Sequence, residues 1–250
     1  MENRAKVATL QAIIIFLFLL GWQLLRSLNL ISNLFLAAPS NILSGSWLPA
    51  LPHFIPYFET TIDEVVAAYI LAAILGITIG FLLGQNDYVY KVVQPFIVWG
   101  YSIPKIAIFP VFMLLFGLGA SAVIVYATMS AFFVILLNTI TGVRDVDKHL
   151  VTVSESLGMN TTQRYSKIML PSMVPIVFSG LRQGLIQAVL GVLVSELVMA
   201  AIGVGSLIDN LSYAFLSTQL YAVIAMVALG MMSINLLLLR LEARLNFWRE

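Results

Sequence analysis

The sequence contains no cysteine. That excludes disulfide frameworks, thiolate metal sites and cysteine nucleophiles. Its two histidines, His53 and His149, stand far apart with no spaced partner ligands, so a histidine-built metal site is not expected. Charge is scarce as well: Asp, Glu, Lys and Arg make up 10% of the chain, against about 25% in ordinary soluble domains. A net charge of +1 provides no surface for nucleic acid and suggests no acidic partner. There is no Gly-rich Lys-Ser/Thr phosphate loop, so the chain is not expected to bind ATP itself. Nor is there a metal or nucleophile constellation of the kind a membrane-bound enzyme needs. A self-sufficient secondary transporter would use intramembrane carboxylates and an internal repeat, and the sequence displays neither at mid-depth.

What the sequence does have is apolar length. Hydrophobic residues make up 60% of it, and they gather into six segments, at about 7–25, 62–84, 92–116, 120–141, 174–200 and 220–239. Each is close to the roughly 20 residues that cross a hydrocarbon layer about 30 Å thick. The expectation is an all-α membrane protein: one transmembrane domain over residues 1–250 with six transmembrane helices in a lipid bilayer. Arg4 and Lys6 ahead of the first segment resemble the charged start of a secretory signal. That segment is long for a signal, however, and the small pair Ala37-Ala38 is followed directly by Pro39, so a retained first helix is expected.

Lysine and arginine orient the bundle. With both termini cytoplasmic, Arg4, Lys6, Lys91, Arg144, Lys148, Arg164, Lys167, Arg240, Arg244 and Arg249 all fall inside, ten of the thirteen basic residues. The other three are Arg26 at the outer end of the first segment, Lys105 within the third and Arg182 early in the fifth. The outer connection 30–59 carries four prolines and several aromatic residues, and reads as an interfacial segment lying on the bundle. A shorter outer piece is expected within 203–219. Gly76, Gly80 and Gly84, and again Gly180, Gly184 and Ala188, leave helix faces free of side chains, for packing within the chain or at a dimer or sliding interface.

Residues 142–171 are polar, charged and without an apolar stretch, so they form a water-facing cytoplasmic segment. Asp145 or Asp147 can cap a short helix ending at Leu157, with Gly158 as its left-handed stop. Asn160 and Gln163 have the spacing of a capping box for a second helix, which Pro171 should end.

At this point the chain resembles the permease subunits of ABC importers, whose cytoplasmic motif is Glu-Ala-Ala, three residues, Gly, nine residues, Ile, one residue, Leu-Pro. Gly158, Ile168, Leu170 and Pro171 match its second half at the required spacing. Thr152, Val153 and Ser154 stand where Glu-Ala-Ala is usual, and Glu155 comes one position late, rotated by about 100° on a helix. The resemblance narrows to the sulfonate, nitrate and taurine type through 38–43, 103–119, 132–138, Leu181-Arg182, Glu196 and Gly203-Val204-Gly205. It implies a type I ABC importer permease fold in a prokaryotic inner membrane. It also implies a second permease chain, expected to be a second copy of this one, two cytoplasmic ABC ATPase subunits that carry ATP and Mg, and an external substrate-binding protein. Thr152, Val153, Ser154, Glu155, Gly158, Ile168, Leu170 and Pro171 become the expected ATPase-coupling residues. The substrate implied is a small solute such as a sulfonate, taurine, nitrate or bicarbonate, with a neutral or aromatic vitamin precursor as the alternative.

Polar groups inside the apolar layer are costly and each calls for a role. Lys105, Asn138, Gln187 and Glu196 are candidates for the translocation pathway. Lys105 offers a positive point for an anion, or a structural bond to carbonyls freed by Pro104 and Pro110. Glu196 lies nearer the outer surface, as a rim residue or a gate, and its depth argues against a direct pair with Lys105. Asn138 and Gln187 are expected to bond between helices, and Arg182 to belong to the inner packing.

Overall fold

The computed structural model describes residues 2–146, 148–199 and 203–245, without the side chains of 2–5, 8, 148, 150, 151, 155 and 243–245. Every regular element among them is helical: α1 Glu2–Ser27, α2 Pro39–Leu43, α3 Leu51–Gly84, α4 Asp87–Ser102, α5 Lys105–Phe116, α6 Ala120–Arg144, α7 Lys148–Ser156, α8 Thr161–Arg164, α9 Leu170–Met199, α10 Val204–Tyr213 and α11 Ser217–Leu245. Five stretches, in α1, α3, α6, α8–α9 and α11, are long and apolar enough to span a membrane, and α4 with α5 makes a sixth if that bent pair counts as one span.

The core is the three-helix packing of α3, α6 and α9, and small residues make it possible. A Cβ on Gly76 would come within 2.9 Å of Ile135, on Gly80 within 2.7 Å of Thr139, and on Gly84 within 2.7 Å of Val143. On α9, Gly180 meets Asn138 and Gly184 meets Ile135 in the same way, and Ala188 is fully buried beside Ala72 and Ala131. Both glycine faces therefore pack within the chain, against α6 and in part against the same residue, Ile135. In lipid there is little hydrophobic gain between helices, so close backbone approach is what holds them.

Three expectations change. The segment 92–116 is not one helix, because α4 and α5 meet at 92°. Pro104 lacks an N–H and drives Ile103 into an extended conformation with ψ 131°, ending α4. The connection expected over 30–59 is shorter: it contains α2 and a 3-10 turn at Leu48–Ala50, and from Leu51 the chain is already in α3. Pro52 lies in the first turn, where a missing donor costs nothing, and Phe54 packs against Val204, Leu207, Leu211 and Val223. Pro171 does not end a helix. A π-turn at Tyr165–Met169 widens the backbone just before it, and the Leu170 N–H donates to the Tyr165 carbonyl, so α8 runs on into α9.

α1 stands at the edge, with almost all of its apolar side chains exposed. One end ties it down: Trp22 Nε1 donates to the Ala37 carbonyl at 2.9 Å, Gln23 accepts from the Ser40 N–H at 3.2 Å, and the Trp22 ring meets Tyr221 edge-on at 5.6 Å. Arg26, in the last turn of α1 as expected and buried, donates to the Ile31 carbonyl.

Candidate functional site

The projection between α6 and α9 is built from local signals. Asp145 proves to be the C-cap of α6 and not the start of a new helix, while Asp147 lies outside the described residues. α7 then runs to Ser156 and closes in a Schellman turn: Gly158 sits at φ +69°, and the Met159 N–H donates to the Ser154 carbonyl at 3.0 Å. A Cβ on Gly158 would meet nothing within 4 Å, so only the left-handed backbone calls for glycine there. Asn160 and Gln163 form the expected capping box, with the Gln163 N–H donating to Asn160 Oδ1 at 2.8 Å and the Asn160 N–H to Gln163 Oε1 at 3.1 Å.

This geometry decides what the projection presents. Thr152, Val153 and Leu157 are exposed, as is Leu170, while Ser154 is fully buried and Ile168 and Pro171 are partly covered. The side chain of Glu155 lies outside the described residues. Val153 and Leu157 are thus apolar side chains exposed outside the apolar spans.

The projection is fastened to the bundle by residues that the sequence reading missed. Tyr165 donates to Gln85 Oε1 at 3.1 Å, and its ring meets Phe81 edge-on at 6.3 Å. Beside it Arg144 pairs with Asp87 at 2.7 Å and lies over the Tyr90 ring at 4.3 Å. No spacing rule links positions 80 residues apart in sequence.

The intramembrane polar residues separate. Lys105 opens α5 directly after the break; its Nζ donates to the Ser130 carbonyl on α6 at 3.3 Å and lies 5.2 Å from the centre of the Tyr101 ring. Asn138 bonds within its own helix, to the Val134 carbonyl at 2.8 Å, and not between helices, while Gln187 is partly exposed on α9. Arg182 pairs with Glu242 at 3.1 Å, joining α9 to α11. His53 and His149 are both exposed, and no cluster of three or more ligating side chains occurs among the described residues.

Glu196 departs most from expectation: it is fully buried and no rim residue. Thr61 Oγ1 donates to its Oε1 at 2.6 Å and the Gly205 N–H to its Oε2 at 2.7 Å, while Thr61 Oγ1 accepts from the Val204 N–H at 2.8 Å. The carboxyl thus takes the place of the missing side-chain cap of α10, whose N-cap is Gly203. Lys105 and Glu196 do not meet; the lysine bonds α6 and the glutamate bonds α3 and α10.

The family model for the binding-protein-dependent transport system inner membrane component matches residues 72–248, which include the whole projection. The chain belongs to this family. Permease proteins from several bacteria are similar along most of its length. SsuC of Bacillus subtilis (strain 168), named for aliphatic sulfonates transport, is 29% identical over 92% of this chain and 83% of its own. The taurine transport system permease protein TauC of Escherichia coli (strain K12) is 25% identical over 91% of this chain and 85% of its own. The bicarbonate transport system permease protein CmpB of a Synechocystis species is 28% identical over 86% and 81%. Among solved structures, an inward-facing form of the MetNI methionine ABC transporter matches with a TM-score of 0.69 at 19% identity, over 79% of this chain and 98% of that one. This protein is accordingly a multi-pass inner-membrane permease subunit of an ABC importer. Membership implies ATPase and binding-protein partners and a permease dimer, with ATP hydrolysis performed on the partner subunits.

Proposed function

We propose that this permease carries a small anion handed over by an external binding protein. Residues 142–171 face the cytoplasm and dock into two ABC ATPase subunits that bind ATP and Mg, and a second copy of this chain completes the pathway. The observation that carries the coupling role is the projection itself: a Schellman turn and a capping box on either side of Gly158 hold Val153 and Leu157 outward at a fixed angle. Ten of the thirteen basic residues support placing this end inside.

Two features support the anion. Relatives named for sulfonates and bicarbonate share anionic substrates. In this chain, the discontinuous α4–α5 pair sets Lys105 and the N-terminus of α5 at one point, so a side-chain charge and the positive end of a helix coincide there.

The test is site-specific crosslinking from residues 152–162 in membranes that contain the copurified ATPase. Crosslinks to the ATPase, strengthened or weakened by ATP and Mg, are the expected result. A projection that crosslinks to nothing while transport proceeds would remove it from the coupling route.

A further inference from the structure

The least expected chemistry in the molecule lies at the end opposite the projection. Glu64 on α3 is 5% exposed and Glu196 on α9 is 0% exposed, and they are neighbours: Thr61, three residues before Glu64 and so on the same face of α3, donates to the Glu196 carboxyl at 2.6 Å. Two carboxylates are acceptors only, so in contact they would set lone pairs and like charges together in a medium of low dielectric. Among the described residues no cation is paired with them. No lysine or arginine occurs on α3 or α10; Arg182 on α9 is committed to Glu242, Arg144 on α6 to Asp87, and Arg240 and Arg244 on α11 stand near its far end. The other titratable groups on the packed helices are His53, Tyr57, Glu59, Asp63 and Tyr69 on α3, Tyr126 on α6, Asp209 and Tyr213 on α10 and Tyr221 on α11. None hydrogen-bonds or pairs with either carboxyl.

The two glutamates are not equivalent. Glu196 receives two donors, the Thr61 hydroxyl and the Gly205 N–H, which suit an anion. Glu64 Oε2 is buried with no donor directed at it. A buried carboxylate left this way is far costlier than a neutral acid. A proton on Glu64 removes its charge and turns it from an acceptor into a donor toward Glu196.

We propose that Glu64 and Glu196 form a binding site for a single proton, and that the protonated pair latches α10 onto α3 and α9. With the proton in place, Glu64 donates to Glu196, which in turn holds the N-terminus of α10 through Gly205, and Thr61 holds Val204. The glycines belong to the device: a Cβ on Gly203 would come within 2.2 Å of the Glu196 carboxyl, and one on Gly205 within 2.5 Å of the Leu193 carbonyl. Loss of the proton leaves two buried anions in contact and loosens α10, so the order of this end of the bundle depends on pH. The latch stands on this chain's own contacts and does not depend on the anion or coupling proposals.

The test uses the full chain in lipid nanodiscs, with two readouts over one pH series. Infrared difference spectra should show a carboxylic-acid C=O band that titrates in the wild type and is absent from Glu64→Gln, whose amide keeps a donor without a titrating proton. Hydrogen exchange at residues 203–213, expressed as protection relative to the unfolded chain, should fall at least about tenfold across the step in which the band disappears. In Glu64→Gln it should remain constant. A band that is missing from the wild type, or that persists in Glu64→Gln, would place the proton elsewhere. A band that titrates while α10 protection stays level would end the latch. The wild-type series decides both points even if the variant does not fold.

Discussion

The two ends of the bundle carry glycine for opposite reasons. At the projection, Gly158 has open space around it and a left-handed backbone. At the other end, Gly205 is pressed between the Leu193 carbonyl and the Glu196 side chain, where a Cβ would come within 2.6 Å of either. The first glycine sets a direction and the second makes room. A corner set by direction can be wrong while the domain still folds, whereas a filled contact between helices disturbs the packing itself.

The sharpest way to break this comparison is to put valine at both positions. Gly205→Val should cost about 3 kcal/mol or more from overpacking, and should reduce the yield of monodisperse protein in size-exclusion profiles. Gly158→Val should cost only about 1–2 kcal/mol of local backbone energy. It should reach the membrane at near-normal yield, yet lose ATPase binding or substrate-stimulated hydrolysis. If the two variants fail alike, by misfolding or by uncoupling, the distinction between the two ends is gone.

A second prediction sharpens the contrast between the bonded and the exposed polar groups. Lys105→Met should lower uptake several-fold in proteoliposomes tested with labelled taurine, an alkanesulfonate, nitrate and bicarbonate, and Lys105→Arg should retain more. Unchanged uptake by the methionine variant would leave Lys105 as a tie to the Ser130 carbonyl alone. Smaller still is the effect of Asn160→Ala, which removes one side of the capping box and should cost about 1 kcal/mol. Its signature is faster hydrogen exchange at 161–164 with assembly intact. At the bottom of the scale, Glu155→Ala should give a mild loss of ATPase stimulation and Thr152→Glu should be tolerated; a full loss in either would move the docking contact.

The sequence alone was enough for the apolar spans, the glycine faces, the Schellman turn at Gly158 and the capping box at Asn160. Each of these depends on residues within a few positions of one another, where helix periodicity and capping chemistry act regardless of the rest of the chain. The break between α4 and α5 was not read from the sequence: 92–116 reads there as one span, although Pro104 stands within it. The partners of Glu196 were out of reach, because Thr61 stands 135 residues away. A lone acid near the end of an apolar segment reads as a rim residue until its surroundings are known. The only local hint was the pair of glycines, Gly203 and Gly205, shortly after it.

Composition and periodicity determined that this protein lives in lipid, since 60% hydrophobic residues in runs of helical length leave no other solvent. Local spacing determined the shape of its projection. Only the tertiary structure decided that Glu64 and Glu196 are both buried where α3 meets α9, that Arg182 spends its charge on Glu242, and that Tyr165 fastens the projection to Gln85. The reason is physical: a charge inside the bilayer is tolerable or not according to what lies within a few ångströms of it, and those neighbours come from helices that the chain brings together only when it folds.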